Sequence, residues 1–128
     1  MNRLKFYRKP SEFMDQGAFE RLAAETLSRL MQEIEDQLAD HLEVDLEAGI
    51  LHIELESGGK YVINKHGPNR EIWLSSPASG AWHFAKDDQP GWRSTRAVDG
   101  EHRRLHDILT AELSAATGQK LVLTPNAI

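Results

Sequence analysis

The hydrophobic period of this chain changes from helical to alternating close to position 40, and few folds accommodate that switch. Phe19, Leu22, Ala23, Leu27, Leu30, Met31, Ile34 and Leu38 recur every three or four residues, which places them on one stripe of an α-helix. Asp15 offers an N-cap, entered through Gln16 and Gly17, so the spacing predicts a helix from there to about Asp40. From Leu42 the period is two: Leu42, Val44 and Leu46 alternate with Glu43, Asp45 and Glu47, as on a half-buried strand, and Ala48-Gly49 makes a turn. Ile50 to Glu56 continues with Leu51, Ile53 and Leu55 on one face. Ser57-Gly58-Gly59 supplies a second turn, and Lys60 to Asn64 a third strand.

His66-Gly67-Pro68-Asn69 is turn chemistry. Arg70 to Ser75, Ala81 to Ala85 and Trp92 to Thr95 read as further strands, the last two separated by the polar stretch Lys86 to Gly91. Asp99-Gly100 is expected to open a second helix carrying Leu105, Ile108, Leu109 and Leu113, with Gly118 ending it and Leu121 to Leu123 packing as a last extended segment. A helix, six or so strands and a helix give an α+β two-layer sandwich, with two helices packed on one face of an antiparallel sheet. A chain of 128 residues fits one such domain. The expected division is an N-terminal arm over 1–14, the domain over 15–125 and a tail over 126–128.

Charge is distributed unevenly. Residues 15–47 hold ten carboxylates against Arg21 and Arg29, a local charge of −8, while residues 1–14 carry four basic groups and one acid and residues 48–128 balance nine against nine. Such a field repels nucleic acid and attracts cations or basic proteins. With no cysteine, the chain has no disulfide, thiolate metal site or cysteine nucleophile, so any metal must be held by oxygen and imidazole. No apolar run approaches the roughly 20 residues that span a bilayer, and the basic start is not followed by the apolar stretch of a secretory signal. A soluble, non-secreted protein with no membrane or nucleic-acid partner is expected.

Glu20, Glu25, Glu33, Glu35, Asp36 and Asp40 fall outside the apolar stripe of the first helix, and strand alternation turns Glu43, Asp45 and Glu47 away from Val44 and Leu46. Helix and strand together are expected to present one acidic surface. A merely solvated face ordinarily mixes lysine with glutamate, and here the acids lack such relief. Hard cations favour clustered carboxylates, and an open ridge without a cage predicts weak, multiple and exchangeable binding. In Arg70 to Ser75, Ile72 and Leu74 share the core face, so Trp73 is expected to face solvent with Glu71 and Ser75. Strand tryptophans are more often packed by neighbours, but these polar companions make Trp73 a candidate contact residue.

No catalytic residue is assigned. Ser75, Ser76 and Ser79 near His83 lack a nucleophile elbow and read as turn residues, and Gly58-Gly59 and Gly80 lack the phosphate-loop ending. His102 and His106 have the spacing of two helical metal ligands, but Arg103 and Arg104 between them disfavour a cation. Arg93, Arg96, Arg103 and Arg104 read as solvated surface.

Tyr61-Val62-Ile63-Asn64-Lys65 followed by Arg70-Glu71-Ile72-Trp73-Leu74-Ser75-Ser76-Pro77-Ala78-Ser79-Gly80 strongly resembles the signature region of the frataxin family. The resemblance extends to Phe19-Glu20-Arg21-Leu22-Ala23 and Leu105-His106-Asp107-Ile108-Leu109, covering roughly residues 15–124. It implies the same two-layer fold and weak binding of ferrous or ferric iron along the acidic ridge, with other divalent cations as further candidates. It also implies docking on the complex of a cysteine desulfurase with its iron–sulfur scaffold protein, tuning cluster synthesis. By position, Glu20, Glu25, Glu35 and Asp36 match ridge carboxylates of the helix, and Asp45 and Glu43 those of the first strand; Glu33 and Asp40 join them from the helix face. Asn64 and Trp73 match sheet residues that touch the partners, with Ile72 beside that contact and Glu35, Asp36 and Asp45 serving docking as well as iron.

The sequence departs from the family at His66, where many relatives have glutamine, at Ala24 and Ser28, where acids are expected, and at His83, a position basic in some relatives. His41, among carboxylates at the helix end, reads better as a simple helix-terminal histidine than as a ligand. The alternative function is a ferroxidase or iron-storage protein holding iron on the ridge, although the Glu-x-x-His pairs of di-iron bundles are missing. The resemblance implies a monomer capable of iron-dependent oligomers. The missing presequence favours a bacterial cytosol over a mitochondrial matrix. Whether docking activates or restrains the desulfurase is open on the sequence.

Overall fold

The computed structural model describes residues 14–125. The first helix, α1, spans Gln16–Leu38, and Asp15 caps it: its Oδ1 accepts the Ala18 N–H at 2.7 Å, satisfying one of the donors a helix leaves free at its start. The helix ends two residues before the expected Asp40, because the His41 N–H turns back to the Leu38 carbonyl and the chain enters β1 at once. Phe19, Ala23, Leu27, Leu30, Ile34 and Leu38 are buried as the period required, while Leu22 and Met31 sit half-buried at the margin of the stripe. Met14, assigned to the arm, is buried against the core; the rest of the arm and the tail lie outside the described residues.

Seven strands follow as one antiparallel meander in chain order: β1 (Leu42–Glu47), β2 (Ile50–Leu55), β3 (Lys60–His66), β4 (Glu71–Ser76), β5 (Gly80–Lys86), β6 (Trp92–Val98) and β7 (Glu101–Arg104). The helix α2, Leu105–Thr117, closes the order, and Gly118 at φ 72° ends it by donating its N–H to the Ser114 carbonyl. One reading is corrected here. Asp99-Gly100 does not open a helix; at φ 54° and 79° it forms the two-residue hairpin turn between β6 and β7. Left-handed conformation at both central residues suits the strand twist, and Asp-Gly is as good a hairpin sequence as it is a helix start. This adds the seventh strand and moves the helix onset to Leu105.

α1 packs along β1 and reaches β2 and β3, while α2 packs on β6 and β7. The helix-facing side of the sheet carries Leu51, Ile53, Tyr61, Ile63, Ile72, Leu74, Trp82, Phe84 and Trp92, all buried. Burying each large apolar side chain is worth about 1.5–3 kcal/mol before entropy is charged against it. Two polar links cross this core. Thr26 Oγ1 accepts the Trp92 indole N–H at 2.9 Å, joining α1 to β6. The Glu112 carboxylate on α2 accepts Tyr61 Oη–H at 3.0 Å, Ser76 Oγ–H at 2.6 Å and Ser79 Oγ–H at 2.5 Å. Burial and the neighbouring Glu112 push the Tyr61 phenol up to about 12.

After α2 the chain runs extended beside α1. Leu121 and Leu123 are buried, and the Gln37 side chain donates to the Val122 carbonyl at 2.7 Å and accepts its N–H at 2.9 Å. Among the described residues, neither helix covers the opposite side of the sheet.

Candidate functional site

β1 is the edge strand, and α1 lies along it, so the carboxylates of the last helical turns and of β1 border the same edge of the sandwich from its two sides. Glu35, Asp36 and Asp40 are exposed on the helix side. Glu43, Asp45 and Glu47 are exposed on the open face, where they line a shallow depression with His52, Glu54 and Lys60. Glu43 stands directly opposite Glu54 in the β1–β2 register and Asp45 opposite His52. None of Glu35, Asp36, Asp40, Glu43 and Asp45 has an ion-pair partner among the described residues. The last turn of α1 contains no basic residue, so its carboxylates add to the negative end of the helix dipole. A cation on this edge would relieve both.

Three other candidates are arranged differently. Glu20 is paired with Lys65 at 2.9 Å and accepts from Gln16 at 3.0 Å; the lysine hydrogen bond holds its carboxyl below the usual carboxylate range. Glu33 accepts the Thr124 N–H with both oxygens, at 3.1 and 3.3 Å, and so anchors the C-terminal segment. Glu25 lies at an open groove with Ser28, Arg29, Gln32 and Glu33, one turn from the cationic Arg29. The strongest unrelieved charge therefore belongs to the C-terminal half of α1 and to β1. No three acidic or histidine side chains among the described residues are gathered closely enough to form a metal cage.

On the open face, strand pairing aligns Asn64, Trp73 and His83 across β3, β4 and β5. Asn64 is exposed. Trp73 points away from the helices as expected, but it is half-buried between two imidazoles: His66 stacks on one face at 3.8 Å and His83 on the other at 4.2 Å, both within 9° of parallel. Its indole N–H donates to Glu71 Oε1 at 2.8 Å, and that oxygen lies 3.7 Å from His83 Nδ1. The expectation of a solvent-facing tryptophan is thus corrected: both ring faces are covered, and contact is left to the ring edges. Ile72 is corrected too. It is fully buried among the core residues, so it supports Trp73 from beneath and cannot touch a partner.

The remaining sequence features resolve into structure. Ser76 and Ser79 bind Glu112, and Ser76 Oγ also accepts the Ala78 and Ser79 N–H groups, holding the β4–β5 turn. His102 lies on β7 and His106 on α2, so their helical ligand spacing does not exist. Arg96 sits 3.6 Å over the Trp82 ring, and Arg104 makes a two-pronged pair with Asp87 at 2.8 Å. Their part is structural. The His41 carbonyl accepts the Glu56 N–H, tying the end of α1 to the β2–β3 turn.

Fold and surface together define a class: a two-layer α+β protein that offers an acidic edge and an open sheet face. A frataxin-like domain model matches residues 12–119. The chain is 36% identical over 121 residues to a mitochondrial frataxin from Arabidopsis thaliana, which covers 89% of this chain and 62% of that relative's length. A trimeric frataxin from the yeast Saccharomyces cerevisiae superposes with a TM-score of 0.64 at 36% identity, over 76% of this chain and 80% of that one. The same yeast protein complexed with ferrous gives 0.64 at 35% identity, over 76% and 86%. Frataxin from Psychromonas ingrahamii, at 21% identity, shares the fold with a TM-score of 0.72 over 87% and 99%. The chain belongs to the frataxin family.

Proposed function

We propose that this protein is an iron-binding partner of iron–sulfur cluster assembly, which docks on the complex of a cysteine desulfurase with its scaffold protein. The observation that carries the reading is the row of carboxylates without an ion-pair partner among the described residues, Glu35, Asp36, Asp40, Glu43 and Asp45, along one edge beside the negative end of α1. Such oxygens suit a hard cation held loosely and passed on, since no closed cage fixes coordination number. Glu20, Glu25 and Glu33 serve as outlying contributors, because lysine, arginine and backbone groups already engage or flank them. The same acids meet a basic partner surface, while Asn64 and the edge of Trp73 provide the central contact.

Anaerobic calorimetric titration with ferrous iron tests the iron half of the reading. Weak, multiple binding to the wild type that falls at least several-fold in Glu35→Gln/Asp36→Asn/Asp45→Asn is expected; unchanged binding in that variant refutes it. Iron oxidation or storage is the second reading, favoured by the trimeric and ferrous-complexed yeast relatives. Oxygen consumption above the uncatalysed rate, lost in the same variant, would promote it.

A further inference from the structure

The two histidines around Trp73 have no part in the iron reading, yet their rings cover both faces of the proposed contact residue. We propose that the His66–Trp73–His83 stack is a proton-operated switch that weakens docking as the pH falls from 8 to 6. The inference rests on the docking reading and deepens it. The three rings are held parallel across β3, β4 and β5, so a charge placed on either imidazole lies against the indole face, where cation and ring attract. Imidazole changes charge between about pH 5 and 8, whereas ordinary carboxylates do not.

Among the described residues, the strand register places Glu71 and Arg93 beside the stack. On β4, Glu71 is paired in register with His66 and lies 3.7 Å from His83 Nδ1. On β6, Arg93 is paired with Ala85, two residues along β5 from His83. On β3, Lys65 turns to the helix side and pairs with Glu20, so it does not face the rings. With both histidines neutral, Glu71 and Arg93 balance. With both protonated, the face carries two added positive charges at the centre of a surface whose acidic end is built for a basic partner.

Protonation also alters the contact residue itself. Glu71 Oε1 accepts the Trp73 indole N–H, and a His83 imidazolium at 3.7 Å competes for that oxygen. The proton is thereby read in two places, as charge on the docking surface and as a weakened tether on Trp73. Two added positive charges facing a basic partner correspond to about a ten-fold loss of affinity.

The test is docking of wild type, His66→Gln, His83→Gln and the double variant to a reconstituted desulfurase–scaffold complex at pH 8 and pH 6, with the Trp73 indole N–H of the free protein followed by NMR. His52 is a further histidine on the open face, set among the strand acids, so the decisive quantity is the difference between wild type and double variant. About ten-fold weaker wild-type docking at pH 6, a change under about three-fold in the double variant and a Trp73 signal that moves with pH are expected. Equal pH dependence in wild type and double variant, or a Trp73 indole signal unmoved between the two pH values, overturns the switch and leaves docking intact. Absence of docking at both pH values overturns the docking reading and the switch with it.

Discussion

Asp36→Asn combined with Glu43→Gln should make the protein more stable while weakening the proposed hold on iron. Asp36 has Glu33 three residues before it and Asp40 four residues after it, both on its own side of α1. Each such spacing costs an exposed helix about 0.2–0.5 kcal/mol. Glu43 faces Glu54 directly across β1 and β2, a like-charge pair worth about 0.2–1 kcal/mol, and Glu54 keeps Lys60 opposite it on the β3 side after the change. Neither substitution touches the core or a side-chain hydrogen bond among the described residues. The sum is a gain of about 1 kcal/mol, or about 4 °C in the midpoint of thermal unfolding for a domain of this size. Thermal denaturation followed by circular dichroism at low salt and at 0.5 M salt checks it. The gain should shrink by half or more at the higher salt, where charges are screened beyond a few ångströms. A variant no more stable than wild type, or a gain indifferent to salt, refutes the argument that this edge is electrostatically strained.

Three further outcomes are expected. The folded state holds the Tyr61 proton up to about 12 against an ordinary 10.0, so it gains stability that is complete below pH 10 and lost as the pH rises towards 12; denaturant titrations should show about 2–3 kcal/mol lost across that window in wild type and little of it in Tyr61→Phe. Thr26→Val keeps the volume but leaves the buried Trp92 indole N–H without its acceptor, and urea unfolding should report a loss of about 1–3 kcal/mol. Gly91 stands at φ 86°, and a Cβ there would lie 2.7 Å from the His106 ring, so Gly91→Ala should cost about 2 kcal/mol or more by the same measurement.

Much of this architecture could be read from periodicity. The stripe on α1 and the alternation through β1, β2 and β3 are strong because each element buries one face only, and the two hairpin turns between the strands carry glycine. β7 was illegible for the converse reason: Glu-His-Arg-Arg is polar throughout and exposes Glu101, His102 and Arg103, so no apolar alternation marks it. Without it, Asp99-Gly100 was free to pass for a helix start. At the site, composition located the acidic edge, but the engagement of Glu20 by Lys65 and of Glu33 by Thr124 depends on residues 45 and 91 positions away. The stack around Trp73 needs the β3–β4–β5 register, which sequence spacing does not supply. Ile72 is a different case: alternation had placed it beside Leu74 on the core face, and positional likeness to family contacts drew it outward against that pattern.

The most direct test of the account is binding of wild type, Trp73→Ala and Glu35→Gln/Asp36→Asn/Asp45→Asn to a reconstituted desulfurase–scaffold complex at two salt concentrations. The account predicts wild-type binding that weakens with salt, a slower association rate in the charge variant and faster dissociation in Trp73→Ala, with both variants folded. Wild-type binding that neither salt nor the charge variant alters would contradict it.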